Sequence, residues 1–224
     1  MFRDDYIMRM IRQFGQIYAY ILGMRRRGQY PLALIAIDNA YRERLGLGSD
    51  AVAALSDSQI LALVRFGETN GSWRETGAFV ASLLYSEAVI LQEQGQPDDA
   101  TPRAMLSLQL LLECDLASDQ PLPEYAPPRD ELLGMLSDYE LPAKTRAALF
   151  TLLARAGRYA HAEDVLAVLL DERPTDAGLI GAGVSFYEGL LDRDDADLEA
   201  GGLPRDEVLA ALTALRATVV TDNS

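Results

Sequence analysis

Residues 149–174 read LFTLLARAGRYAHAEDVLAVLLDERP, and this stretch decides the fold. Leu149 and Leu153 lie four apart, Gly157 interrupts, and Ala162, Leu166 and Leu169 then follow the spacing of one helical face. Two apolar stripes divided by a glycine predict two helices folded back on each other. The glycine takes the left-handed conformation that ends the first helix, the small Ala162 lets the second approach closely, and Tyr159 fills the elbow. Pro174 closes the unit because a proline has no amide hydrogen to extend the helical ladder.

The same turn recurs as Gly28-Gln29-Tyr30 with Ala33 and as Gly95-Gln96-Pro97 with Ala100. Around the first, residues 14–47 repeat the pattern through Tyr20, Met24, Ile37 and Ala40, with Leu45 where the closing proline is expected. The middle unit is degenerate: Pro97 replaces the aromatic, and Pro102 predicts a helix that starts late. Elsewhere apolar residues keep helical spacing, as in Ile7, Ile11, Phe14, Tyr18 and Ile21, and no run alternates like a half-buried strand. The expectation is an all-α chain of nine or ten helices, at 3–27, 31–45, 50–66, 73–94, 101–116, 128–139, 142–156, 159–172, 175–192 and 204–220. Ser56 with Gln59, and Ser72 with Glu75, have capping-box spacing, while Pro31, Pro128, Pro142 and Pro204 suit first turns. The domain is read as single, 1–224, with a Pro-rich connection at 115–128 draped over the surface between two halves.

The unit around Gly157 resembles a tetratricopeptide repeat, whose period is about 34 residues. End to end, the chain also resembles a bacterial family of TPR-like proteins known only as a domain of unknown function. The resemblance rests on Asp5-Tyr6-Ile7-Met8-Arg9-Met10-Ile11, Ala162-Glu163-Asp164-Val165-Leu166 and Leu198-Glu199-Ala200-Gly201-Gly202-Leu203-Pro204-Arg205. It implies an irregular array of antiparallel helical hairpins, an alpha-alpha superhelix, and brings no assigned activity.

Composition removes several classes. With 34 acidic and 20 basic side chains among 224 residues, the formal charge is −14, which repels phosphate backbones and argues against a nucleic-acid partner. The charge is uneven: residues 1–27 hold six arginines against two aspartates, and residues 171–207 hold eleven acids against three arginines. The apolar stretch Ile17–Met24 is too short for a membrane span and sits wrongly for a signal peptide. A cytoplasmic location follows as an expectation. A lone cysteine, Cys114, permits no intrachain disulfide and no thiolate metal cluster.

Chemistry has few candidates. His161, the single histidine, has no local orienter or nucleophile and reads as a surface residue, and Cys114 reads as a small buried hydrophobe. Asp192, Asp194, Asp195, Asp197 and Glu199 invite a calcium loop, but Ala200 stands at the required turn glycine and Pro204 intrudes, so a solvated acidic connection is expected. Gly178, Gly181, Gly183 and Gly189 follow no strand and form no dinucleotide fingerprint; close helix contact explains them better. The stripe from Tyr6 to Ile21, followed by Arg25, Arg26 and Arg27, reads as core in preference to a membrane-surface helix.

In tetratricopeptide arrays the first helices of the hairpins line a peptide groove. Carried over by position, that groove takes Gly15, Tyr18, Leu22, Arg25 and Arg26 from the first unit and Lys144, Ala147, Thr151, Ala154 and Arg155 from the last. Its cations suit an acidic peptide or a C-terminal carboxylate. Leu22 and Thr151 stand where the chaperone-binding members of the class have asparagine. The expected function is a non-enzymatic scaffold or adaptor for a protein or peptide partner, without cofactor or membrane. The alternatives are a self-associating structural subunit, a homo-oligomer, and an enzyme with a dispersed carboxylate site.

Overall fold

A helix leaves its last carbonyls unpaired, and a chain that must reverse has to satisfy them within a few residues. Gly28, Gly95 and Gly157 do this at φ of 69°, 74° and 72°. At the first turn the Gly28 amide donates to the Arg25 carbonyl at 2.8 Å and the Gln29 amide to the Met24 carbonyl at 3.0 Å. This paired Schellman pattern repeats from Gly95 and Gln96 to Gln92 and Leu91, and from Gly157 and Arg158 to Ala154 and Leu153. Five residues after each glycine, Ala33, Ala100 and Ala162 are buried against the preceding helix.

The computed structural model describes residues 2–67 and 72–221. Among them are twelve helices and no strand: α1 (Phe2–Arg26), α2 (Tyr30–Leu45), α3 (Ser49–Ala53), α4 (Asp57–Gly67), α5 (Trp73–Glu93), α6 (Pro97–Leu116), α7 (Arg129–Met135), α8 (Ala143–Arg155), α9 (Tyr159–Glu172), α10 (Ala177–Leu191), α11 (Asp195–Ala200) and α12 (Arg205–Thr221). The count exceeds the expected nine or ten for two reasons. The helix read at 50–66 breaks into α3 and α4, because the Ser56 amide donates to Gln59 Oε1 at 2.9 Å while the Gln59 amide donates to the Ser56 hydroxyl at 3.3 Å, a reciprocal pair that starts a new helix. The acidic connection also coils into α11, with Asp194 accepting from the Asp197 amide at 2.8 Å. Two other expectations are corrected. Ser72 precedes α5 without a side-chain bond to the helix's first-turn amides, since its ψ of 17° departs from the extended form a capping side chain needs. α6 starts at Pro97 and runs through Pro102, whose missing amide costs the helix the bond to the Asp98 carbonyl, on a residue exposed to solvent.

The chain divides into two compact units, Met1–Leu141 and Pro142–Ser224. In the first, α5 is the hub: it packs against α1, α2, α4 and α6 and is buried almost all round. Small residues permit this. A Cβ on Gly77 would sit 2.5 Å from Cys114 Sγ on α6, and Ser107 of α6 donates its hydroxyl to the Ala81 carbonyl of α5 at 2.7 Å. The Pro-rich connection belongs to this unit and is anchored inward, so the boundary lies at Leu141, beyond 115–128. Arg74 of α5 donates from Nε to the Cys114 carbonyl at 2.8 Å and from its two terminal nitrogens to the Pro121 and Gln120 carbonyls. Tyr125, 4% exposed, stands edge-on to the stacked rings of Phe14 and Phe79 and donates to the Glu75 carbonyl at 3.0 Å. Prolines cannot supply a helix here, but they pre-extend a strap that one aromatic pins to the core.

The second unit encloses Tyr159, Leu166, Ile180, Tyr187, Leu198 and Val208. Gly183 admits Leu215 and Leu166, since a Cβ there would lie 2.8 Å from the first; Gly181 and Gly189 meet nothing within 4 Å. Close helix contact therefore explains one of the glycines in α10. A fourth Schellman turn, at Gly202, precedes α12. It interlocks with the Gly157 turn: the Ala160 amide donates to the Gly201 carbonyl at 3.0 Å, and Tyr159 lies flat against Gly201.

These turns predict a contrast. Gly28→Ala meets open space and loses about 1 kcal/mol through backbone strain alone. Gly201→Ala drives a Cβ to 2.7 Å from the Gly157 carbonyl oxygen and into the Tyr159 ring, for a loss of about 2–3 kcal/mol. Urea unfolding of the two variants checks the order, and a larger loss at Gly28 would contradict it.

Candidate functional site

α2 buries Ala33, Ile37, Ala40 and Tyr41 along one stripe, which leaves Leu34, Ile35 and Asp38 toward its flank. A left-handed Gly46, at φ 70°, ends the helix and returns the chain to α3. Asp38 fixes the return. Its Oδ1 accepts from the Ser49 amide at 2.8 Å and its Oδ2 from Arg42 Nε at 2.7 Å, and these bonds hold its carboxyl below the usual range. Gly48 leaves room for this pair, since a Cβ there would come within 2.6 Å of the Arg42 guanidinium and 2.8 Å of Asp38 Oδ1 and push the two side chains aside.

The bend opens a cleft of about 370 Å³. Leu34, Ile35 and Asp38 line it from α2, Ser49 and Asp50 from α3, Glu87 and Leu91 from α5, and Arg103 from α6. Glu87 forms the floor at 3% exposure. Tyr41 donates its hydroxyl to Glu87 Oε2 at 3.2 Å, and Arg103 Nε approaches the same oxygen at 3.4 Å. Arg103 also donates from Nη1 to the Asp99 carbonyl at 2.8 Å. Burial pushes the Glu87 carboxyl up, against the opposing pull of Arg103, Ser49 and Tyr41. Tyr41 rises well above its ordinary value through burial and the adjacent carboxylate. Ser49 Oγ and Arg103 Nε are buried and lack a well-formed hydrogen bond. The cleft thus combines aliphatic walls, a carboxylate-rich lining and incompletely satisfied polar atoms, the make-up of a binding site.

The groove residues expected from sequence fall into two groups on different units. In the first, Tyr18 is 8% exposed with its hydroxyl pushed up by burial, Leu22 and Arg25 are half-buried, and Arg26 is exposed. Tyr85 of α5 donates its hydroxyl to Glu131 of α7, and the Glu131 carboxylate raises both Tyr18 and Tyr85 while Arg25 lowers them. Glu131 and Arg25 thus act on the same two tyrosines, and one terminal nitrogen of Arg25 is buried without a hydrogen-bond partner. In the second unit Lys144, Thr151 and Arg155 are exposed on α8, and the Thr151 hydroxyl donates to its own helix at the Ala147 carbonyl, 2.9 Å away. Glu87 and Arg103 went unread. The available signal was a single carboxylate inside the apolar run Ser82–Leu91.

The other candidates sit apart from the cleft. His161 is exposed on α9. Cys114 is buried with its thiol pushed up to about 12 by desolvation, as befits a small hydrophobe. In the acidic connection, Arg205 binds Asp195 and the Leu191 carbonyl, and among the described residues no group of three His, Cys, Asp or Glu is placed to hold a metal ion. No helix of the described residues is long and apolar enough to cross a membrane.

A family of unknown function, DUF6483, matches residues 1–219, and the chain belongs to it. No curated protein and no solved structure matches.

Burial of Glu87 has a pH consequence. Its pKa is raised above the 4.5 of an unperturbed carboxyl, so the folded state favours the neutral form; that stability is present below 4.5 and is lost as pH rises through the raised value. Glu87→Gln is uncharged throughout. The stability of the variant relative to wild type should therefore improve between pH 4 and pH 7, in urea unfolding at about four pH values. A difference that is flat or falls with pH would contradict the assignment.

Proposed function

We propose that this protein is a non-enzymatic, TPR-like helical-hairpin scaffold that docks a segment of a protein partner at the cleft between α2, α3, α5 and α6. One observation carries the reading: the cleft is lipped by Ile35, a large aliphatic side chain 57% exposed, beside Leu32 at 48% one helical turn away. Aliphatic surface left in water next to a cavity is what an anchor residue of a partner covers. The recurring turn supports the repeat-like architecture, since three glycines and three buried alanines set three hairpins in the same way.

The distribution of reactive groups agrees. The thiol is buried and held protonated by desolvation, and the imidazole lies on the second unit while the cleft lies on the first. An adaptor role and a cytoplasmic location complete the proposal. The first-hairpin groove is the weaker docking face, because Glu131 and the Pro-rich strap are already there.

Affinity purification from the native cell tests it. Ile35→Glu places a charge on an exposed position and leaves the fold intact, and it should cut recovery of the specific partner at least tenfold. Val168→Glu, at a comparably exposed aliphatic on the second unit, should not. Equal recovery with both variants would remove the cleft from the docking surface.

A further inference from the structure

Building on the docking reading above, we infer that the group entering the cleft is the ammonium of a lysine, carried by a basic, aliphatic segment of the partner. Asp38 is already paired with Arg42 of its own helix, so the lining keeps two carboxylates, Asp50 and Glu87, against one guanidinium. That guanidinium, Arg103, is engaged by Glu87 and by the Asp99 carbonyl. A second cation is therefore attracted where a second anion meets an excess of like charge. The walls fit the rest of the side chain. Leu34, Ile35 and Leu91 present aliphatic surface on the way to the floor, and a lysine stem buries its methylenes along such surface while its charged head seeks polar partners.

The polar atoms match an ammonium. Tyr41 and Arg103 both approach Oε2 of Glu87, the Ser49 hydroxyl also acts on that carboxylate, and the buried Ser49 oxygen accepts no hydrogen bond. An ammonium brings three donors and no acceptor, so it serves a carboxylate and a hydroxyl oxygen together. Its compact charge also enters a narrow floor more easily than the wide planar fork of an arginine. The chain as a whole, at −14, attracts cationic segments from a distance.

Fluorescence anisotropy with the full chain tests this, using a labelled hexapeptide of alternating leucine and lysine as probe. Versions with glutamate, norleucine or arginine in place of lysine, and free spermidine as competitor, are the comparisons. The lysine probe should bind at least tenfold more tightly than the glutamate and norleucine versions and weaken with salt. Glu87→Gln and Asp50→Asn should each weaken it several-fold, and Asp171→Asn, an exposed acid on the second unit, should leave it unchanged. Asp50 is exposed at the rim, so its variant keeps the fold even if Glu87→Gln does not. Glutamate or arginine peptides binding as tightly as lysine, spermidine competing as well as the peptide, no binding of the probe, or equal losses in all three variants would each overturn the lysine assignment. If the partner recovered by affinity purification is still lost with Ile35→Glu in those cases, the docking role stands and only the lysine is wrong.

Discussion

The reversal of a helix at a left-handed glycine is the constraint on which the rest of this structure depends. Ending a helix exposes carbonyls whose burial without partners costs about 1–3 kcal/mol each. The paired bonds at Gly28, Gly95, Gly157 and Gly202 satisfy those carbonyls within two residues and turn the chain directly into the next helix. Everything else is placed by that economy of length. Because only Gln29 separates Gly28 from α2, the flank of α2 is delivered beside α5, and the cleft forms where α3 then departs.

Sequence periodicity and turn chemistry are local, and local features were legible. The glycine-alanine spacing announced three hairpins, and Ser56 with Gln59 announced a helix start even though the apolar stripe Val52, Leu55, Ile60 runs straight past it. The fourth turn was harder to read, because Gly201 and Gly202 stand together and have opposite tasks. Gly202 adopts positive φ, whereas Gly201 has ordinary φ and is small so that Tyr159 can lie against it. Nothing in the dipeptide says which is which. The cleft was illegible for a stronger reason. Tyr41 and Glu87 are 46 positions apart, Arg103 lies on a further helix, and no spacing rule connects residues that only the packing of α2, α5 and α6 brings together.

A carboxylate as buried as Glu87 is a liability in an apolar helix unless its surroundings return what water gave. Arg103, Ser49 and Tyr41 do so in part, and the Tyr41 and Arg103 contacts converge on one oxygen at 3.2 and 3.4 Å, longer than charge-assisted bonds usually are. Burial still raises the pKa, so desolvation outweighs these contacts. An apolar side chain at this position would pack α5 against its neighbours without that cost. The ligand proposed for the cleft gives a reason for a charge here that the packing of the fold does not.

Position on α5 favours the proposed docking at this cleft over the groove a repeat array leads one to expect. Tyr85 and Glu87 are two residues apart and so project about 200° apart around the helix. The Tyr85 side meets Glu131 of α7, and the strap that leads to α7 buries Tyr125 against Phe14 and Phe79. That strap does within the chain what a bound peptide does in a groove: it is extended by prolines, its carbonyls are gripped by Arg74, an aromatic anchors it and a carboxylate ends it. Its attachment at both ends makes the internal ligand effectively concentrated, so a free peptide of the same kind competes at a disadvantage. The Glu87 side carries no such cover, and its aliphatic lip remains in water. A partner gains most where apolar surface is still exposed and least where the chain has already buried its own. The strap and the cleft are therefore linked consequences of one helix with two polar sides: one side is closed by the chain itself, and the other is left for something else to close.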